Sequence, residues 1–268
     1  GFGWQKERVS KFTFFLVQNV DERILRKFDA DFRHIGGYAE TEKAKKEYPD
    51  GTWRDEWGIQ VKQVGLYSEF IFGPLKDITE VDQLDEWPWP DPESLDVDGL
   101  GKKARKLEEA GWAVMGMTPV GGRLFEQSFW LRGLEKLILD MYLRPDLACA
   151  LLNRVLEVQL AFFNKFLDEV GDYIQVVHTS DDYGSQTGML ISPRLFREYI
   201  KPRRKKLNDL IHSKTDAKIF LHSCGSVEPI IDDLIEIGVD VLNPVQPSAA
   251  NMDSEMLKRK YGERLCFH

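Results

Sequence analysis

The sequence predicts an α/β fold, either an open parallel sheet or a (β/α) barrel. Two observations carry that prediction. From Pro92 onward, short apolar runs alternate with helical patterns of roughly ten or more residues, the order expected of strand–helix units. Directly after each apolar run stand polar, titratable or glycine residues, and in such folds the carboxyl ends of parallel strands carry the functional groups.

Taken in chain order, the first third is irregular and rich in aromatic residues. It offers a helix near Val20–Phe28 and a short strand over Asp31–Gly36. The stretch Tyr48–Leu75 is bounded by Gly, Pro and Trp and reads as one or two β-hairpins. Trp87-Pro-Trp-Pro-Asp-Pro92 reads as a rigid extended connector, because each proline restricts itself and its predecessor. A charged helix at Leu100–Ala110 precedes the strand Ala113–Thr118, and a helical region around Leu134, Leu137 and Leu139 follows. Arg144-Pro-Asp opens a long amphipathic helix, Leu147–Val170, with Asp146 near its N-terminal turn. Then come a strand at Tyr173–His178, a helix opened by Ser192-Pro193 and reaching His212, and a strand at Ala217–Leu221. A helix at Val227–Ile237, a strand at Val239–Pro244, a helix at Asp253–Tyr261 and a strand at Arg264–His268 complete the order.

Composition narrows the function. The chain has 268 residues, 43% hydrophobic and 30% charged, as a globular protein does. Its net charge of −8 argues against non-specific nucleic-acid binding, which needs a basic surface. No apolar run approaches the ~20 residues of a membrane span, and the N-terminal run Gly1–Val9 has no signal-peptide pattern. Three cysteines are too few for a disulfide framework, which points to a reducing cytoplasm. The chain begins without Met and ends at Leu265-Cys-Phe-His268, so we read it as a fragment.

The sharpest chemical signal is His222-Ser-Cys224-Gly225. Side chains two apart on a strand point the same way, so imidazole and thiol would meet at the strand end. Together they form a soft ligand pair suited to zinc, or a buried pair without a metal. Asp181 and Asp182 follow the strand before it. Adjacent residues point to opposite sides, so one would face the site as base, substrate anchor or ligand partner, and the other would cap a loop. Other strand ends offer Arg33 and His34, Asn243 and Gln246, and Cys266 with His268. Gly121-Gly122-Arg123 could hold an anion on backbone N–H groups or form a simple turn. Cys149 lies on an apolar helix face as a core residue. His212 lies near a helix C-terminus, where the dipole accounts for it.

Several segments are jointly characteristic: Asp29-Ala-Asp-Phe-Arg33, Asp55-Glu-Trp-Gly-Ile59, Trp87–Pro92, Ser180-Asp-Asp-Tyr-Gly-Ser-Gln186, Ile191-Ser-Pro-Arg-Leu-Phe196, His222-Ser-Cys-Gly225 and Val239–Gln246. With them the chain resembles the uroporphyrinogen decarboxylase superfamily, especially its zinc-dependent, corrinoid-linked methyltransferase branch. The resemblance implies one (β/α)8 TIM barrel domain over residues 1–268, its N-terminal part (about 1–92) irregular and hairpin-containing. It also implies a first strand before residue 1 and a last one after residue 268.

The resemblance makes His222 and Cys224 zinc ligands, with Cys266, His268 or a Cys beyond the chain end as candidates for the third. It implies methyl transfer between a corrinoid on a partner protein and a small-molecule thiol or similar acceptor. Asp181, Asp182, Arg33 and His34 are then the catalytic candidates, and Arg123, Tyr183, Asn243 and Gln246 the substrate-binding ones. The alternative is tetrapyrrole decarboxylation, with Arg33 and Arg123 gripping carboxylates. Against it, the decarboxylases' essential aspartate has no counterpart in Phe32-Arg33-His34-Ile35-Gly36. A non-catalytic corrinoid- or tetrapyrrole-binding protein is a third reading.

Overall fold

A computed structural model describes residues 20–36, 46–65, 67–117 and 120–268. The run Gly1–Val9 and Thr118, both read above, lie outside these residues. A short helix α1 (Glu22–Lys27) is capped by Asp21, whose side chain accepts the Arg23 N–H. It leads into β1 (Phe32–Gly36). The expected hairpins become a four-stranded antiparallel sheet of β2 (Lys46–Glu47), β3 (Thr52–Arg54), β4 (Gln60–Val64) and β5 (Tyr67–Phe72). Contacts from the sheet and from the segment after it fasten this region to the rest. Phe70 stacks on Trp130 at 4.3 Å. The fully buried Arg132 pairs with Asp140 at 2.7 Å and donates to the carbonyls of Leu75, Lys76 and Ile78. The proline-rich connector is packed rather than free, since Trp89 meets Trp57 edge-on at 6.4 Å and donates to the Leu84 carbonyl.

Beyond the connector the strand–helix alternation appears as predicted: α2 (Leu100–Glu109), β6 (Ala113–Met117), α3 (Phe125–Arg132), α4 (Leu134–Leu143), α5 (Pro145–Val170), β7 (Val176–Ser180), α6 (Pro193–Leu195), α7 (Lys201–Lys214), β8 (Lys218–His222), α8 (Ile231–Glu236), β9 (Val241–Asn243), α9 (Ser254–Tyr261) and β10 (Cys266–Phe267). Proline at the first turn and side-chain caps set several helix starts. Pro145 opens α5, Ser192 accepts the Leu195 N–H, and Asp253 accepts the Met256 N–H. Between α6 and α7 the helix widens to a π turn over Phe196–Ile200, just before Pro202, which has no N–H to continue the ladder.

Six strands form one parallel sheet in the order β1-β6-β7-β8-β9-β10. This is an α/β fold, and among the described residues no pairing joins β1 to β10. Strand alternation divides the sheet into two faces. Ile35, Val114, Val177, Ile219, Leu221 and Leu242 face the helices and share the main core with Phe163 and Phe166 of α5 and Leu207 and Ile211 of α7. Each such side chain contributes about 1.5–3 kcal/mol on burial. On the other face, Met115, Val176 and Phe220 form a smaller cluster with Met117 and Val241. Among the described residues no helix is long and apolar enough to cross a membrane.

One strand departs from expectation in a way that matters. β7 starts at Val176, not Tyr173, because Gly171–Tyr173 close a 3-10 turn after α5. At its other end the strand extends through Ser180, and Asp181 and Asp182 follow immediately.

Candidate metal centre

Parallel register brings the strand ends together. Ser180 of β7 lies beside His222 of β8, and His222 beside Asn243 of β9. His222 alternates with the core residue Leu221, so its ring turns to the face opposite the helices. Two residues on, Cys224 returns to the same side, its Sγ 3.3 Å from His222 Nε2. Asp182 completes the group: its Oδ1 accepts the Cys224 backbone N–H at 2.7 Å and lies 3.8 Å from His222 Nε2. Ligand atoms of Asp182, His222 and Cys224 all fall within 4.8 Å of one another, the one such group of three among the described residues. Sulfur, nitrogen and oxygen donors converging at that distance suit a borderline-soft divalent ion. The site is partly open, with the His222 and Asp182 side chains 34% and 31% exposed.

The loops that present these donors touch backbone to backbone. Gly225 has φ +81°, and a Cβ there would sit 2.4 Å from the carbonyl carbon of Gly184. Gln246 Oε1 accepts the Gly225 N–H and pins the same turn from the β9 side.

Electrostatics at the site are dominated by burial. The Cys224 thiol is pushed up to about 11, first by burial and then by the Asp182 carboxylate. His178, one row below on the same face and stacked on Phe220 at 5.5 Å, is pushed down to about 3 by burial and by His222, Arg123 and His34. Glu126, at the start of α3, is only 8% exposed. Burial, reinforced by Asp181 and Asp182 and opposed by Arg123, pushes its carboxyl up to about 8. Arg123 Nε lies 3.6 Å from its Oε2, which accepts no hydrogen bond. Glu126 is not legible as a site residue in the sequence, because it lies in the first turn of a helix rather than directly after a strand. Its spacing three residues after Arg123 was the available signal.

The two aspartates divide as adjacent strand residues should. Asp182 faces the donors, whereas Asp181 is fully buried and caps α3. Its carboxylate accepts the N–H groups of Leu124, Phe125 and Glu126 at 2.8–3.0 Å and the Tyr183 hydroxyl at 2.9 Å. Arg204 stands 3.4 Å away, also fully buried. Burial raises the Asp181 pKa against the pull of Arg204 and the three N–H groups.

Several expected site residues lie elsewhere. Tyr183 is fully buried behind Asp181 and cannot line a substrate pocket. Arg33 points to the helix side of β1, paired with Glu22 at 2.8 Å and stacked over Trp112 at 3.8 Å, because alternation sends it opposite His34. His34 does share the site's face. The third donor within reach of His222 and Cys224 is Asp182, not Cys266 or His268. Cys266 pairs one row lower, with Val241, and His268 Nδ1 is engaged by Asn243 at 2.9 Å. Asn243 and Gln246 bond to His222 and Gly225, so both brace the site. Nor is the Gly121–Arg123 turn an open anion cradle, because the Gly122 N–H donates to buried Gln159 at 3.0 Å.

Residues 128–260 match the profile of the uroporphyrinogen decarboxylase (URO-D) family. No curated protein matches the chain. Among solved structures, a methyltransferase from Methanosarcina mazei superposes with a TM-score of 0.54 at 17% identity, covering 78% of this chain and 58% of that one. That likeness is one of fold, and the chain spans 58% of that methyltransferase's length. Asp182, His222, Cys224 and Asn243 all fall inside the segment, residues 128–260, that is similar to the uroporphyrinogen decarboxylase family.

Proposed function

We propose that this chain is a zinc-dependent methyltransferase of the superfamily, built on a (β/α)8 barrel, that moves a methyl group between a corrinoid on a separate protein and a small thiol or similar acceptor. The observation that carries the reading is the convergence of Asp182, His222 and Cys224 within 4.8 Å at the carboxyl ends of two adjacent parallel strands. The fold it shares with a methyltransferase from Methanosarcina mazei supports the same direction.

His222 Nε2, Cys224 Sγ and Asp182 Oδ1 would hold the zinc ion. Bound there, zinc supplies Lewis-acid chemistry that makes a substrate thiol a nucleophile at neutral pH. The chain's own residues do the rest. The Asp182 carboxylate orders the Cys224 turn through its backbone N–H, and Gln246 holds the next residue. Met117, Phe220 and Val241 give the face below the donors an apolar floor. Glu126, buried and with its carboxyl pushed up to about 8, stands beside Arg123 next to the site. The decarboxylase alternative loses support, since Arg33 faces the helices and grips Glu22.

Metal analysis of the purified full-length protein tests the proposal. Stoichiometric zinc is expected, lost in the His222→Ala/Cys224→Ala double variant and weakened in Asp182→Asn. Protein without zinc, or a double variant that keeps it, sinks the reading.

A further inference from the structure

We propose that Asn243 is a positioning residue that sets the tautomer of His222, and that His268 in turn sets the orientation of the Asn243 amide. The inference rests on the reading of His222 as a metal ligand and adds what makes it competent to be one.

An imidazole can ligate through Nε2 only if that nitrogen carries a lone pair, which requires the proton to sit on Nδ1. Asn243 Oδ1 lies 2.7 Å from His222 Nδ1. A carbonyl oxygen can only accept, so Nδ1 must donate. Nε2 is thereby left unprotonated, facing Cys224 Sγ at 3.3 Å and Asp182 Oδ1 at 3.8 Å. Turned over, the amide would offer its NH₂ to Nδ1, place the proton on Nε2 and remove the ligand.

What holds the amide the right way round is its other end. Asn243 Nδ2 lies 2.9 Å from His268 Nδ1, which must then accept. The His268 ring meets Phe220 edge-on at 5.4 Å, and its backbone N–H donates to the Leu242 carbonyl. The relay His268–Asn243–His222 therefore runs across the ends of three adjacent strands, and parallel register brings its members together. Outer partners of this kind fix ring orientation and raise ligand basicity.

The tautomer can be read directly. Histidine-labelled, metal-free protein gives long-range nitrogen–proton correlations that distinguish Nδ1–H from Nε2–H. We expect His222 to be the Nδ1–H form in the wild type and to lose that form in Asn243→Leu. Zinc affinity, measured by chelator competition, should fall about 10- to 100-fold in Asn243→Leu. Asn243→Asp keeps an acceptor oxygen at the same reach and should recover most of it, and His268→Ala should lose less than Asn243→Leu. If Asn243→Leu fails to fold, the aspartate and His268→Ala variants decide the matter by the same two readouts.

An unchanged Nδ1–H form and unchanged zinc affinity in Asn243→Leu overturn the proposal. So does an Nε2–H form in the wild type. A wild type that has the Nδ1–H form but binds no zinc would instead remove the metal reading and leave the tautomer assignment standing.

Discussion

Glu126 offers the most direct test of the site's electrostatics. Its carboxyl, ordinarily near 4.5, is held at about 8 in the folded protein, chiefly by burial at 8% exposure. In the unfolded chain it titrates normally. Between those two values the folded state therefore binds more protons than the unfolded one, and stability falls as pH rises. The contribution is absent below the unfolded value and complete above the folded one. At about 1.4 kcal/mol per pH unit, the full penalty is roughly 4–5 kcal/mol. Glu126→Gln removes the titration while keeping the shape. Urea unfolding of metal-free wild type and variant at pH 5 and pH 9 isolates the term, because every other titrating group is common to both. The variant should be about as stable at pH 5, where Glu126 is protonated and as neutral as glutamine, and several kcal/mol more stable at pH 9. A difference between the two proteins that stays within about 1 kcal/mol across that range would refute the assignment of Glu126 as a buried, desolvated carboxyl.

Asp181→Asn should cost about 3–5 kcal/mol in thermal or urea unfolding, because it leaves the fully buried Arg204 without its counter-charge; a loss under 1 kcal/mol would contradict that pairing. In metal-free protein Cys224 should alkylate slowly at neutral pH and speed up toward pH 11, while exposed Cys266 reacts first; mass spectrometry of the labelled peptides reads the order. Ready labelling of Cys224 at pH 7 would show that its thiol is not held up by burial. Zinc retention in the His222, Cys224 and Asp182 variants, and the His222 tautomer in the Asn243 variants, test the centre itself.

Much of this protein was determined by its sequence alone. The alternation of apolar runs and helical patterns after Pro92 is a local property, so the strand–helix order and the antiparallel N-terminal sheet were legible without coordinates. So was the pairing of His222 with Cys224, because a two-residue spacing at a strand end places side chains on one side whatever surrounds them. The split between Asp181 and Asp182 was readable as a division of labour, but not which residue took which part. That depended on β7 running two residues past the apolar stretch, which turned Asp181 onto the α3 N-terminus and Asp182 toward Cys224.

Only the tertiary structure could choose the third donor, since residues 182 and 224 meet through strand register rather than through sequence distance. The same holds for Asn243 and Gln246. Their polar ends are used up on His222, His268 and Gly225, so they brace the centre where the sequence suggested pocket lining. Burial likewise removed Tyr183 from the candidate pocket and brought in Glu126. How deeply a residue sits depends on every element packed around it, and no local pattern encodes that.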